Sequence, residues 1–85
     1  MAEEKLVGKI AHYFGKVSVG MINLTDELKV GDTIHVKGHT ADFTQQVSSM
    51  QVEHAGVNEA KAGDSVGIKV EQKVHENDSV YKVID

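Results

Sequence analysis

Short runs in which apolar and polar residues alternate recur along this chain. The clearest lies at 66–70, where Val66, Ile68 and Val70 are separated by Gly67 and Lys69. Alternation with a period of two is typical of a strand that has one face on a core. The same reasoning predicts strands at residues 6–14, 16–23, 33–37, 43–53, 66–70 and 79–84.

Three corners between these runs share one pattern. They read Lys-Val-Gly-Asp-Thr-Ile at 29–34, Lys-Ala-Gly-Asp-Ser-Val at 61–66 and Glu-Asn-Asp-Ser-Val at 76–80. Glycine, or asparagine in its place, supplies the positive φ of a tight turn, and aspartate hydrogen-bonds the nearby backbone. We therefore assign turn-forming roles to Gly31, Asp32, Gly63 and Asp64.

Other segments depart from simple alternation. In the 16–23 strand Val17, Val19 and Met21 are the apolar set, which predicts that they face inward. The inward set of the 43–53 strand changes parity near Ser48, as a β-bulge would require. Residues 25–28 predict a single helical turn, and 54–60 a loop with one helical turn.

These elements predict an all-β fold. About six strands with regular turn signals favour a small closed antiparallel β-barrel, because closure removes exposed strand edges. The 85 residues form one domain, 1–85, and we expect residues 1–5 to be a flexible N-terminus.

Composition narrows the possible functions. The chain has no cysteine, a net charge of −4, and nine basic residues that are all lysine. Without arginine and with an acidic balance, general attraction to nucleic acid is weak, although a local lysine patch stays possible. The charged N-terminus lacks a signal-peptide core and no run approaches a membrane span, so we expect a cytoplasmic protein without a membrane partner.

The order of the corners resembles a known family. The segments at 7–10, 15–20, 28–38, 47–50 and 62–68 resemble the second-domain β-barrel of translational GTPases such as elongation factor Tu. A similar barrel lies at the C-terminus of proteins of the collagenase-like peptidase family, some of which are linked to RNA modification. The chain looks most like free-standing elongation-factor-like proteins, and the resemblance covers nearly all of it.

The resemblance also implies site positions. In the family, an Asn after the Ala-Gly-Asp corner contacts the amino acid of charged tRNA, and a Glu lines the terminal-base pocket. Ser65 and Gln51 stand at these positions in this chain, and Lys16 replaces the usual arginine after Gly15. No Gly-x-x-x-x-Gly-Lys-Ser/Thr loop is present, so we expect no nucleotide binding by the chain itself.

Catalysis and metal binding have little support in the sequence. There is no cysteine nucleophile and no Gly-x-Ser-x-Gly elbow, so we predict a non-enzymatic protein without a cofactor. His35 and His39 lie about 13 Å apart on an extended chain, which is too far for one metal ion. We therefore interpret the histidines as solvated surface residues, with no metal site.

Two functions remain. The first is a binding module related to translation factors that contacts RNA or a ribonucleoprotein, with lysines and aromatic rings as its surface. The alternative is a protein-interaction accessory subunit of a peptidase-like or RNA-modifying enzyme. The RNA-binding hypothesis rests on Tyr13, Phe14, Lys16, Lys37 and Lys69.

Overall fold

The computed structural model describes residues 3–53 and 55–84 of the chain. Ten strands and no helix occur in these two ranges, so the all-β prediction is confirmed for them, and none of these residues forms a helix that could span a membrane. The strands are β1 (Glu3–Phe14), β2 (Val19–Leu24), β3 (Leu28–Lys29), β4 (Thr33–Lys37), β5 (Asp42–Gln46), β6 (Met50–Val52), β7 (Ala55–Val57), β8 (Glu59–Ala60), β9 (Ser65–Lys69) and β10 (Ser79–Ile84).

Eight strands form one antiparallel sheet in the order β5-β4-β10-β1-β2-β9-β6-β7, and β3 pairs with β8. The prediction of about six strands was wrong. One reason is that short strands lie where helical turns were predicted. β3 shares only Leu28 with 25–28, and β7 and β8 lie within 54–60, of which His54 lies outside the described residues. The closed barrel is not found either, because no ladder among the described strands joins the edge strands β5 and β7.

The strand predicted at 43–53 is divided into β5 and β6. Between them, the Val47 N–H donates to the Asp32 carbonyl, and the Val47 carbonyl accepts from the Gly31 N–H, both at 2.8 Å. Within residues 43–53, the buried residues are odd-numbered up to Val47 and even-numbered from Met50. The change of parity is real, but its cause is this attachment to the first corner and not a bulge within one strand.

The three corners form the same turn. In each, the N–H of the first residue donates to the carboxylate of an aspartate three residues later, and that aspartate's N–H donates back to the first carbonyl. The third residue has a positive φ of 97° at Gly31, 95° at Gly63 and 73° at Asn77. The carboxylate bonds are Lys29–Asp32 at 2.8 Å, Lys61–Asp64 at 3.1 Å and His75–Asp78 at 2.9 Å.

The core lies on the inner side of the curved sheet. Its largest fully buried side chains are Ile10, Ile22, Leu28, Ile34, Met50, Ile68, Val7, Val36, Val47, Val66, Val74 and Val80. In β2, Gly20 and Ile22 are buried, whereas Val19 and Met21 are only partly buried and lie on the opposite, outer face. Val17 precedes β2 and is exposed. The inward orientation predicted for Val17, Val19 and Met21 was therefore wrong.

β1 connects the two halves of the sheet. It pairs with β10 from Glu3 to Lys9 and with β2 from Gly8 to Phe14, with a register shift in each ladder. Residues 3–5, expected to belong to a flexible N-terminus, therefore lie in a paired strand. Met1 and Ala2, the rest of that expectation, lie outside the described residues.

The Gln45 side chain connects two strands that are not ladder neighbours. Its Nε2 donates to the Lys69 carbonyl at 2.9 Å, and its Oε1 accepts from the Glu71 N–H at 2.8 Å. One amide thus makes the donor and acceptor contacts that a neighbouring strand makes in a ladder. This contact, which we call the Gln45 bridge, attaches edge strand β5 to the chain leaving β9.

Candidate interaction surface

The outer face of β2, β9 and β6 carries a mainly apolar groove of about 270 Å³. Phe14 and Val17 are its most exposed apolar residues, at 46% and 59% of their full accessibility. We call it the Phe14 groove; its lining residues are Phe14, Val17, Val19, Met21, Gln51, Glu53 and Gly67.

The groove follows from how β2 packs. Gly20 faces the core, where a Cβ would lie 3.4 Å from Val74 Cγ2 and 3.5 Å from Ile10 Cδ1. Because strand residues alternate between faces, an inward Gly20 places Val19 and Met21 on the outer face. In this stretch the core therefore contains the small residue Gly20, and the larger apolar side chains of Val19 and Met21 lie on the outer face.

Gly67 keeps the centre of the groove open. It pairs with Met21 on one side and with Gln51 on the other. A Cβ at Gly67 would lie 3.3 Å from both Met21 Sδ and Val19 Cγ1. A side chain at this position would press on both residues and occupy part of the groove.

Two residues with left-handed backbone lie beside the groove. Ser18 has φ 57° in the β1–β2 turn, and Glu53 has φ 52° after β6. Left-handed backbone is unfavourable for residues other than glycine and persists only where surrounding contacts hold it. At Ser18 one such contact is visible, since its carbonyl accepts from the Val70 N–H at 2.8 Å.

The residues of the RNA-binding hypothesis do not form one surface. Phe14 and Lys69 lie in the same cross-strand row, since both pair with Val19 in register, and Lys16 lies in the adjoining turn. Lys37 ends β4, and three strands separate β4 from β9. Tyr13 packs against the core and so does not share an outer stacking face with Phe14. The structure therefore brings together Phe14, Lys16 and Lys69 only.

The two positions implied by the translation-factor resemblance have different surroundings. Gln51 lines the Phe14 groove. Ser65 lies two residues before Gly67 on β9, and its hydroxyl donates to Asn23 Oδ1 at 2.8 Å. Gly31, Asp32, Gly63 and Asp64 lie in the turns described above.

A charged cluster that no sequence pattern predicted surrounds His35. Its Nδ1 lies 2.7 Å from Glu4 Oε2, and its Nε2 contacts the Asp42 carboxylate. The hydrogen bond to Asp42 raises the pKa of His35 above 6.5; burial opposes this rise and Glu4 adds to it. With a side chain only 17% exposed, His35 is not the solvated residue that was expected.

The cluster does not resemble a metal centre. Glu4 and Asp42 contact different ring nitrogens of His35, so the three groups cannot converge on one ion. Among residues 3–53 and 55–84, no three His, Cys, Asp or Glu side chains are grouped to hold a metal. The arrangement joins β1, β4 and β5 through charge-assisted hydrogen bonds.

Similar proteins identify the fold. No protein-family model matches the chain. The chain is 42% identical, over 76 residues, to an uncharacterised protease of Methanocaldococcus jannaschii. The match covers 88% of this chain and 19% of the relative, so the chain spans about a fifth of that protein's length.

The C-terminal domain of a candidate U32 peptidase from Geobacillus thermoleovorans has a similar structure. Its selenomethionine variant gives a TM-score of 0.86 at 16% identity, covering 89% of this chain and 96% of the domain. A second structure of the domain gives 0.86 at 17% identity, covering 92% and 91%. These matches support the resemblance to collagenase-like peptidase proteins and give no support to the translation-factor resemblance.

Proposed function

We propose that this chain is a non-enzymatic accessory module that binds a peptidase-like protein. The observation that carries the proposal is the likeness, at a TM-score of 0.86, to a domain found at the C-terminus of a candidate U32 peptidase. The 42% identity to part of an uncharacterised protease supports the same relationship at the level of sequence. A domain that is one part of a larger protein has surfaces that contact the rest of that protein.

The side chains of the described residues favour a binding role over catalysis. Among the described residues, one hydroxyl group contacts an imidazole ring: Thr40 Oγ1 lies 3.3 Å from His75 Nδ1. Both groups are exposed, and the His75 ring makes no hydrogen bond to a carboxylate in the described ranges. An activated nucleophile needs a base that a third group orients. The Thr40–His75 contact has no such third group.

Contact with RNA is the second candidate function. The cross-strand row of Phe14, Val19 and Lys69 supports it. An exposed aromatic ring beside Lys16 and Lys69 offers one stacking face and two positive charges. The net charge of −4 and the separation of Lys37 from this row weaken the case.

Affinity capture of the full chain from native lysate, with and without nuclease, tests the proposal. We expect a peptidase-family protein to be retained in both samples and to form the same complex when both proteins are purified and mixed. Material that is lost entirely after nuclease treatment would overturn the proposal in favour of RNA. Failure of the purified proteins to associate would also overturn it.

A further inference from the structure

The Phe14 groove is the main cluster of exposed apolar residues in the described part of the chain. The other exposed large apolar residues, Leu6, Val30 and Ile84, lie on separate elements. Isolated exposed apolar residues are ordinary, whereas a contiguous set rimmed by polar groups marks an interaction site. Phe14, Val17, Val19 and Met21 form such a set, with Gln51 and Glu53 at its rim.

The size of the groove limits what it can hold. Its volume of about 270 Å³ is just below the 300–1,000 Å³ range of pockets for drug-sized ligands. Gly67 leaves its centre open, and apolar side chains surround it. A single large apolar side chain suits such a space, and an interface anchor of this kind is typically an aromatic or aliphatic residue in a desolvated pocket.

Charge distinguishes the two ends of the groove. Lys69 is in register with Val19 and Phe14, and Lys16 lies in the turn beside them, whereas Glu53 lies at the opposite rim. Neither lysine makes an ion pair with another described residue, although the chain is acidic overall. A partner with a carboxylate next to its apolar anchor would complement the Phe14 end.

A hydrogen bond holds the backbone in place at one point beside the groove before binding. Ser18 and Glu53 adopt left-handed conformations beside it, and the Ser18 carbonyl is bonded to the Val70 N–H. Outliers of this kind concentrate at functional sites. Walls that are ordered in advance lower the conformational entropy lost on association.

We propose that the Phe14 groove binds one large apolar side chain of the peptidase-like partner, and that a carboxylate of the same segment contacts Lys16 and Lys69. This inference rests on the proposed function and adds the surface and the chemistry of the contact. The partner segment carries one apolar anchor and one carboxylate, and it is protein, because the net charge of −4 opposes the many phosphates of an RNA chain more than a single carboxylate.

The test measures the dissociation constant of the full chain for the purified peptidase-family protein identified by capture. Val17→Asp places a charge in the groove at an exposed turn, and we expect it to weaken binding by about tenfold or more. The double variant Lys16→Glu/Lys69→Glu should weaken binding by a similar factor and remove most of the salt dependence. Circular dichroism establishes that each variant is folded.

Matched controls use residues away from the groove. Val30 is 38% exposed at the first corner, and Lys61 lies just before the opposite end of β9 from Lys69. Val30→Asp and Lys61→Glu should bind within about twofold of the unchanged chain, since surface substitutions outside an interface have small effects.

The outcomes separate the two proposals. If the complex forms and the groove variants bind as tightly as the controls, the groove inference is overturned while the accessory function stands. If no peptidase-family protein binds the unchanged chain, both are overturned. If the groove variants instead release a bound RNA, the groove is a nucleic-acid site and the protein-anchor inference fails.

Discussion

Replacing Gln45 by methionine tests how the sheet is held where its ladder is open. Gln45 is only 7% exposed, and its side-chain amide bridges β5 to the Lys69 carbonyl and the Glu71 N–H. Methionine has nearly the same length and shape but neither donates nor accepts a strong hydrogen bond. Gln45→Met therefore removes both bonds and leaves the packing largely unchanged.

The expected loss of stability follows from the two backbone groups that would lose their hydrogen-bond partner. Each buried polar group without a partner costs about 1–3 kcal/mol. The Lys69 carbonyl and the Glu71 N–H would both lose their partner, but an open groove beside Gln46, Ser48 and Glu71 admits water. We therefore expect the free energy of unfolding to fall by about 2–3 kcal/mol in total, near the lower limit for two groups.

Urea unfolding followed by circular dichroism measures this difference. Gln46→Met is the matched control, because Gln46 is the next residue of β5 and is exposed. A loss of about 2 kcal/mol in a domain of this size should also lower the melting temperature by roughly 8–16 °C. If Gln45→Met and Gln46→Met differ by less than about 0.5 kcal/mol, the bridge does not stabilise the fold and the reasoning is refuted.

Three further predictions concern charge and backbone conformation. Because the fold raises the pKa of His35, protonation of this ring stabilises the folded state. The stabilisation is complete below about pH 6.5 and is lost as the pH rises through the higher folded-state pKa. The free energy of unfolding measured with urea should thus decline as the pH rises above about 6.5, and His35→Gln should flatten that decline. Gly38→Ala should destabilise by about 2 kcal/mol or more in thermal unfolding, because its Cβ would overlap a buried carboxylate, whereas Gly56→Ala, with open space around it, should change stability by less than about 0.5 kcal/mol. Asn77→Ala should cost about 1 kcal/mol in urea unfolding at a φ of 73°, and Asn77→Gly should cost less.

The parts of the fold that were predictable from the sequence depend on local chemistry. At each corner, the conformation of Gly31, Gly63 or Asn77 and the aspartate that follows are set by contacts within four residues. The alternation at 66–70 likewise predicts a strand correctly, because Val66 and Ile68 face the core.

Long-range packing explains what the sequence could not predict. The alternation at 16–23 predicted that Val17, Val19 and Met21 face inward, but Val17 lies in the turn before β2 and Gly20 is the residue that faces Val70 and Val74 in the core. Local alternation contains no information about those neighbours, which follow some 50 residues later. The groove that results is therefore a consequence of tertiary packing.

The His35 cluster shows the same limit for a charged site. Its partners Glu4 and Asp42 are 31 and 7 residues away along the chain. Only the pairing of β4 with β5, and the path of β1, brings the three side chains together. No sequence motif marks such a cluster, and the spacing of the histidines alone suggested solvated residues.

The pairing of β1 with β10 has a consequence for the speed of folding. Glu3 lies opposite Ile84 and Lys9 opposite Ser79, so this ladder joins the two ends of the chain. The entropy lost in closing a loop grows with its length, and domains dominated by such distant pairings fold in about milliseconds to seconds. The three corners, each closed within four residues, can form in microseconds. Folding should therefore be limited by the meeting of β1 and β10, and substitutions in that ladder should slow refolding more than substitutions in the corners.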